Sequence, residues 1–330
     1  MNNKYQLIDL FAGSGAFSLI FNKYGIKTFY ANDFDKNCKI IFDNNIKDCK
    51  LDLNDIKDIK INYNINNNYI LTAGFNCQPF SIAGKQLGLN DKRAYVYDKT
   101  FDIIKEIKPK IVIIENVKNL LTHNKGNSFK YMIDNLTKLN YFIKYKILDT
   151  AKYSNIPQHR ERLFIIGFLN KEFYDKFNFN YNVINNNNII DYLENNVDDK
   201  YYYTEKSKIY NILKDNIKEN IINNIVYQYR RKIIRKNKSN LCPTLTANMG
   251  EGGHNVPIIL DNKGIRKLTP RECFNLQGFN NNYILNNLSD TALYKIAGNG
   301  VSLPIIELII NKLVNIINNN IDDNTNINNI

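Results

Sequence analysis

The strongest constraint on this chain is an alternation of two periods along its first half. Short apolar runs at 6–10, 28–31, 69–73 and 111–115 are each followed by a stretch with apolar residues at helical spacing, at 16–24, 36–44, 96–107 and 129–139. Repeated strand-then-helix order leaves few folds open. Each helix must cross over so that the next strand runs parallel to the last, which gives a parallel sheet with helices on both faces. Segments 141–148 and 162–168 read as two more strands, antiparallel neighbours that end the sheet. The expected fold of residues 1–177 is therefore α/β and Rossmann-like, with a mixed, mostly parallel sheet. Open sheets of this kind hold ligands at the carboxyl ends of their strands, so the residues just after each run are the ones that matter for function.

From about 178 the pattern changes. Weakly periodic, Asn-rich sequence such as Asn185-Asn186-Asn187-Asn188 predicts solvated loops, and a smaller, irregular second domain is expected over 178–287. The segment 288–330 is expected to return to the first domain through an apolar helix, with an Asn-rich tail disordered from about 317. The 330 residues suffice for one large domain carrying a second lobe. A count of 44 Lys+Arg against 32 Asp+Glu, net +12, favours a polyanionic partner such as nucleic acid. Lys, Asn and Ile are abundant throughout, however, as an AT-rich coding sequence would also produce. The five cysteines (Cys38, Cys49, Cys77, Cys242, Cys273) are scattered, with no CxxC pair and no neighbouring histidines. That argues against a disulfide framework and a metal site, and for a reducing compartment. The first residues lack the apolar core of a signal peptide and no window approaches a membrane span, so a soluble, cytoplasmic monomer is expected.

The strand ends carry the chemistry. Gly74-Phe75-Asn76-Cys77-Gln78-Pro79-Phe80-Ser81 sets a cysteine in a tight polar turn after an apolar run, which suits a presented thiolate; an inert core thiol is the alternative. Asp9-Leu10-Phe11-Ala12-Gly13-Ser14-Gly15 joins a strand to a glycine-bearing turn and a helix, where a ligand can approach the backbone. The turn lacks the full GxGxxG spacing and contains Phe11, which favours an adenosyl ligand over a dinucleotide. Asn32-Asp33-Phe34-Asp35 offers a carboxylate for ribose hydroxyls and a ring for an adenine face, or for core packing, and Asp52 is a third polar residue at a strand end. Glu115 closes the run Ile111-Val112-Ile113-Ile114 as an acid at the sheet's working edge, and Gln158-His159-Arg160-Glu161-Arg162 supplies cations before another strand. Tyr227 and Tyr229 adjoin Arg230, Arg231, Lys232, Arg235, Lys236 and Lys238, a stretch that grips phosphates or is merely a solvated face.

Together with Arg266-Lys267-Leu268-Thr269-Pro270-Arg271-Glu272, Leu276-Gln277-Gly278-Phe279, Tyr294-Lys295 and Gly298-Asn299, these segments resemble, in order, the motifs of the DNA (cytosine-5) methyltransferases of the bacterial restriction-modification type. The resemblance runs from near residue 6 to about 310. It implies S-adenosylmethionine as methyl donor, no metal, duplex DNA as substrate, and a cognate restriction endonuclease as a separate companion. It implies Cys77 as the nucleophile at cytosine C6 and Glu115, kept protonated in a dry pocket, as the group that relieves charge at N3. Arg162 would hold the base's carbonyl oxygen and Arg160 would support the active-site loop. By the same resemblance Phe11, Gly13 and Gly15 surround the methionine and adenosine, Asp33 takes the ribose, Phe34 the adenine face and Asp52 the adenine amino group, with Asn299 completing the site. Target recognition falls to 178–265, and Gln78, Ser81, Arg230, Arg231, Arg235 and Thr244 are the expected DNA contacts.

Three positions depart from the family's pattern: Asn76 stands where proline is usual, Arg93-Ala94 replaces an arginine-glycine pair, and Gly298-Asn299-Gly300 replaces GNS. Two alternatives stay beside the main reading. A tRNA cytosine methyltransferase of the same family would show a second proline before its cysteine and a smaller recognition region, unlike Phe75-Asn76 and 178–265 here. A catalytically silent DNA-binding relative finds its support in Asn76, which would loosen the loop that proline stiffens.

Overall fold

The computed structural model describes residues 5–74, 95–184, 188–237, 239–251 and 255–327, with side chains to 319. In chain order, β1 (Tyr5–Leu10) leads into α1 (Ala16–Lys23), β2 (Thr28–Asn32) into α2 (Lys36–Asn45), and β3 (Leu51–Asp52) precedes β4 (Asn68–Gly74) and α3 (Tyr95–Ile107). Then come β5 (Ile111–Val117), α4 (Asn127–Lys138), β6 (Phe142–Asp149), the single turn α5 (Thr150–Tyr153), β7 (Glu161–Phe168) and α6 (Lys171–Lys176).

The first seven strands form one sheet in the order β3, β2, β1, β4, β5, β7, β6. Strands β1 to β5 pair in parallel, and β7 runs antiparallel to β5 with Val117 opposite Arg162, as the sequence predicts. The reason is visible in composition. The strands β4 and β5 are buried almost end to end, which requires helices on both faces, and α3 turns Tyr97, Thr100, Phe101, Ile104 and Ile107 inward at helical spacing. Of these, Tyr97, Phe101, Ile104 and Ile107 join Ile8, Leu71, Val112 and Ile165 in one core.

The chain divides into two compact units. One comprises the described parts of 1–148, 161–181 and 305–330; the other comprises 149–160 and 182–304. Breaks are expected from sequence at 178 and 288. The chain instead changes unit after 148, 160, 181 and 304, because 149–160 bonds to residues far along the sequence: His159 N–H donates to the Cys242 carbonyl at 2.9 Å and Cys242 N–H to the Pro157 carbonyl at 2.6 Å.

The second unit is more regular than its Asn-rich sequence predicts. It contains α7 (Tyr210–Asn216), β8 (Tyr227–Arg230), β9 (Ile233–Lys236), β10 (Ile258–Leu260), β11 (Ile265–Lys267), α8 (Pro270–Asn275) and α9 (Asp290–Asn299). The four strands form an antiparallel sheet in the order β11, β10, β8, β9, around a core of Leu213, Ile217, Ile225, Tyr227, Tyr229, Ile258 and Ile265. Strands of three or four residues are too short for a period to show in sequence. Thr269 and Glu272 form a reciprocal capping box that starts α8, with Pro270 in its first turn.

A second correction concerns the carboxyl terminus. The tail expected to be disordered from about 317 is helical: α10 runs from Leu303 to Ile327. Its apolar positions Ile306, Ile310, Leu313 and Ile317 recur at helical spacing and are buried, and they carry the helix into the Asn-rich stretch. Among the described residues no single helix is long and apolar enough to cross a membrane.

Candidate functional site

In the first unit the carboxyl ends of β1, β2, β3, β4 and β5 share one edge, and because β7 is antiparallel its amino end lies on that edge too. The strand order reverses between β1 and β4, which is where open α/β sheets form their ligand crevice.

After β1 the turn carries Phe11, Gly13 and Gly15 in left-handed backbone conformation, with φ of 57°, 54° and 73°. A phenylalanine held there costs on the order of 1–2 kcal/mol, a strain that concentrates at functional sites. The Gly13 N–H donates to Asp33 Oδ2 at 3.0 Å and the Gly15 N–H to the Ala12 carbonyl at 2.8 Å. These amides are engaged within the protein and do not form a phosphate cradle, which fits the adenosyl reading of this turn better than a dinucleotide. Asp33 Oδ1 also accepts from the Asp35 N–H at 2.9 Å.

Phe34, next in sequence, is 68% exposed. An aromatic ring left in water at the mouth of a crevice is the surface a planar heterocycle would cover. Asp52 at the end of β3 accepts the Tyr30 hydroxyl at 2.6 Å on one oxygen and the Asn54 N–H at 2.9 Å on the other.

Cys77, Gln78 and Ser81 lie outside the described residues. The strand that leads to them, β4, ends at Gly74, which pairs in register with Glu115. Glu115 is 6% exposed, and its Oε1 stands 3.1 Å from Arg162 Nε. The antiparallel β7 is what brings an acid and a cation 47 residues apart to the same edge. Arg162 can donate to this oxygen whether the carboxyl is ionised or carries a proton on its other oxygen, so the buried acid has a partner in either state. Of the other cysteines, Cys38 is buried, burial pushes the Cys49 thiol up to about 11, and it drives those of Cys242 and Cys273 well above their ordinary value. Those three shifted thiols are poorly suited to act as thiolates at neutral pH.

In the second unit Arg160 is 1% exposed. Its guanidinium donates from Nη1 to the Leu245 carbonyl at 3.0 Å and from Nη2 to the Gly298 carbonyl at 3.1 Å, and Nη2 also reaches the Gly300 carbonyl. It thereby fixes the turn on either side of Asn299, which is exposed at the end of α9, and ties it to the Thr244-Leu245 segment. Gln158 reinforces the same joint, donating to the Leu276 carbonyl at 2.7 Å and accepting from the Leu245 N–H at 3.2 Å. The Thr244 hydroxyl, an expected DNA contact, donates to the His159 carbonyl. Gly298 faces a backbone so close that a Cβ there would come within 2.2 Å of Thr246 carbonyl atoms. Arg230, Arg231 and Arg235 lie on the β8–β9 hairpin, exposed to solvent.

Sequence reasoning assigns no role to one buried acid. Asp9 is 1% exposed; its Oδ2 accepts from the Ser18 hydroxyl at 2.7 Å and the Ser18 N–H at 3.3 Å, and its Oδ1 from the Thr72 hydroxyl at 2.7 Å. It binds α1 to β4 immediately beneath the turn at Phe11. Burial raises its pKa to about 6, against the opposing hydrogen bonds. The signal was a lone threonine, Thr72, in the otherwise apolar Tyr69-Ile70-Leu71-Thr72-Ala73.

Comparison with known proteins bears on all of this. The profile described as C-5 cytosine-specific DNA methylase matches residues 5–315. The Type II methyltransferase M.Bsp6I of Bacillus sp. (strain RFL6) is 44% identical over 309 residues, covering 92% of this chain and 96% of the relative. The Type II methyltransferase M.HaeII of Haemophilus aegyptius is 34% identical over 323 residues, covering 96% and 94%. Among solved structures, the Entamoeba histolytica methyltransferase EhMeth superposes with a TM-score of 0.70 at 21% identity, over 95% of this chain and 98% of that one. The S. pombe Dnmt2 methyltransferase gives 0.70 at 18% identity, over 94% and 98%. At those identities the two structures speak for the fold alone.

Proposed function

The chain belongs to the C-5 cytosine-specific DNA methylase family and is a methyltransferase of the restriction-modification type, and from that premise we propose that it methylates C5 of a cytosine flipped out of duplex DNA through a covalent bond between Cys77 Sγ and C6. The observation that carries this reading is the buried Glu115–Arg162 pair, 3.1 Å apart, on the strand edge where β4 ends three residues before Cys77. S-adenosylmethionine, when bound, supplies an electrophilic methyl group.

Cytosine C5 is a weak nucleophile, and the thiolate of Cys77 changes that by adding to C6. The Sγ–C6 bond forms as the C5–C6 π electrons shift, and Glu115 relieves the charge by giving a proton or strong hydrogen bond to N3. C5, now part of an enamine, can take the methyl group. Loss of the C5 proton to a base then restores the C5–C6 double bond and expels Sγ. Arg162 both holds Glu115 and offers remaining donors to the base's carbonyl oxygen. Arg160, whose guanidinium is engaged with three carbonyls, acts as a positioning residue for the Asn299 turn.

The donor site we assign is the crevice beside β1, with Phe11, Gly13 and Gly15 along the methionine and adenosine, Asp33 on the ribose, Phe34 on the adenine and Asp52 near its amino group. Support comes from the exposed Phe34 ring and from the engaged turn amides, which leave no phosphate nest. The second unit carries target recognition, and unstacking the base, a few kcal/mol, is offset by contacts to its basic residues and the pocket. Incubation with labelled S-adenosylmethionine should place label in duplex DNA; label in tRNA alone would sink the substrate assignment. Duplexes containing 5-fluorocytosine should trap a denaturation-resistant adduct with the wild type and none with Cys77→Ala. A wild type that methylates DNA but gives no adduct would remove the covalent route.

A further inference from the structure

The β8–β9 hairpin sorts its residues between two faces. Tyr227 pairs with Lys236 and Tyr229 with Ile234 on the side packed into the second unit's core, where Lys236 is also closed by Glu219 at 2.6 Å. Gln228 pairs with Arg235 and Arg230 with Ile233 on the other side. There Arg230 and Arg235 are exposed, and Ile233 is 56% exposed. Among the described residues, Arg230, Arg231, Lys232 and Arg235 make no side-chain hydrogen bond or ion pair. The strands are joined by the two residues Arg231 and Lys232, both left-handed at φ of 52° and 63°, the pattern of a type I′ turn. Asparagine and glycine adopt that turn at less cost, so the tip keeps two cations at a backbone penalty.

The face is therefore basic and, among the described residues, without a partner, with one apolar side chain set among the guanidinium groups; β10 pairs with β8 only at Tyr227, so beyond that residue the sheet is two strands wide. The B-DNA major groove is about 12 Å wide and admits a two-stranded ribbon, its guanines present paired acceptors that match an arginine fork, and its thymine methyls suit a side chain such as Ile233. A-form RNA offers no such entry, since its major groove is too narrow and deep for side chains to read. Arg230 and Arg235 stand diagonally across the ribbon, a separation of about 7–8 Å, or roughly two base-pair steps.

We propose that this ribbon enters the major groove of the target duplex, that Arg230 and Arg235 each read a guanine within about two base pairs of the other, and that Arg231 and Lys232 hold backbone phosphates. The assignment rests on the DNA methyltransferase reading above and goes further, naming which residues specify sequence and which only add affinity.

The test separates the two claims. Duplexes bound by the full-length protein are selected from a random pool, and bisulfite sequencing of the same pool reports methyl transfer. The wild type should enrich a sequence containing two nearby guanines. Arg230→Ala and Arg235→Ala should each relax one guanine, lowering preference there roughly tenfold or more, and Arg230→Gln should shift that position toward adenine, a gain that a misfolded protein cannot show. The double variant Arg231→Ala/Lys232→Ala should keep the sequence but weaken binding uniformly, with the slope of log K against log salt falling by about 0.9 for each charge removed. If Arg230 and Arg235 variants keep the wild-type sequence and lose only salt slope, the ribbon holds phosphates and the proposal fails. It fails too if the wild type enriches no guanine. Enrichment without methylation would leave the ribbon standing and defeat the transfer reading instead.

Discussion

Replacing Asp9 by asparagine should stabilise this protein at neutral pH, although Asp9 makes three hydrogen bonds. Its carboxyl, ordinarily near 3.8, is pushed up to about 6 by burial, so the fold disfavours the charge despite the donors from Ser18 and Thr72. At about 1.4 kcal/mol for each pH unit of displacement, the ionised group costs the folded state about 3 kcal/mol relative to the unfolded chain. The window follows from the sign. Below about pH 4 both states hold the proton; between about 4 and 6 the unfolded chain releases it while the folded protein does not, so stability falls with rising pH and then levels off. Asparagine cannot ionise. Its carbonyl can keep both Ser18 donors, and its amide faces the Thr72 hydroxyl, which has an alternative acceptor in the Ile8 carbonyl at 3.5 Å. That rearrangement costs about 1 kcal/mol at every pH. Urea denaturation followed by circular dichroism from pH 4 to 8 should give a difference between Asp9→Asn and wild type that moves about 2.5 kcal/mol in the variant's favour across the range. A difference that does not change with pH would refute the claim that the buried charge is a burden.

Three further outcomes are expected. Phe34→Ala should weaken S-adenosylmethionine binding about tenfold by titration calorimetry while leaving the melting temperature unchanged, because the ring is exposed and contributes by stacking. Glu115→Gln should lower methyl transfer by about a hundredfold or more in a labelled assay yet leave duplex binding near wild type, since the amide oxygen can still accept from Arg162. Gly298→Ala should cost about 3 kcal/mol or more in urea denaturation, because its new methyl would meet the Thr246 backbone at 2.2 Å rather than a side chain that can turn aside.

Much of the first unit was legible because its signals are local. Short apolar runs mark the buried strands, and a polar residue at the end of a run marks the sheet edge, which is how Asp33 and Glu115 stand out, whereas Asp52 closes a strand of only two residues. The pairing of Glu115 with Arg162 follows once β7 is taken as antiparallel. What stayed hidden depends on distance or brevity. Arg160 reads as a loop cation, yet its partners lie 85 to 140 residues away. Asp9 looks like a motif letter until Ser18 and Thr72 are seen to close on it. The basic stretch around Arg230 could not reveal that Tyr227 and Tyr229 turn inward, because four-residue strands carry too little period to separate their faces.

The joint around Gln158 and Arg160 bears on how such a protein can diversify. Pro157, Gln158, His159 and Arg160 meet the later part of their unit through backbone atoms of Cys242, Leu245, Leu276, Gly298 and Gly300, and Thr244 returns a hydroxyl to another carbonyl. Every residue type offers the same carbonyl and, proline apart, the same N–H. Apart from Gly298, where only a hydrogen fits against the Thr246 backbone, and Thr244, whose hydroxyl takes part, such a junction is indifferent to the side chains of the segment it grips and demands that the main chain follow the same path. Substitutions between these anchor points therefore leave the junction in place, so the sequence of the second unit can change widely without loosening the grip on 157–160.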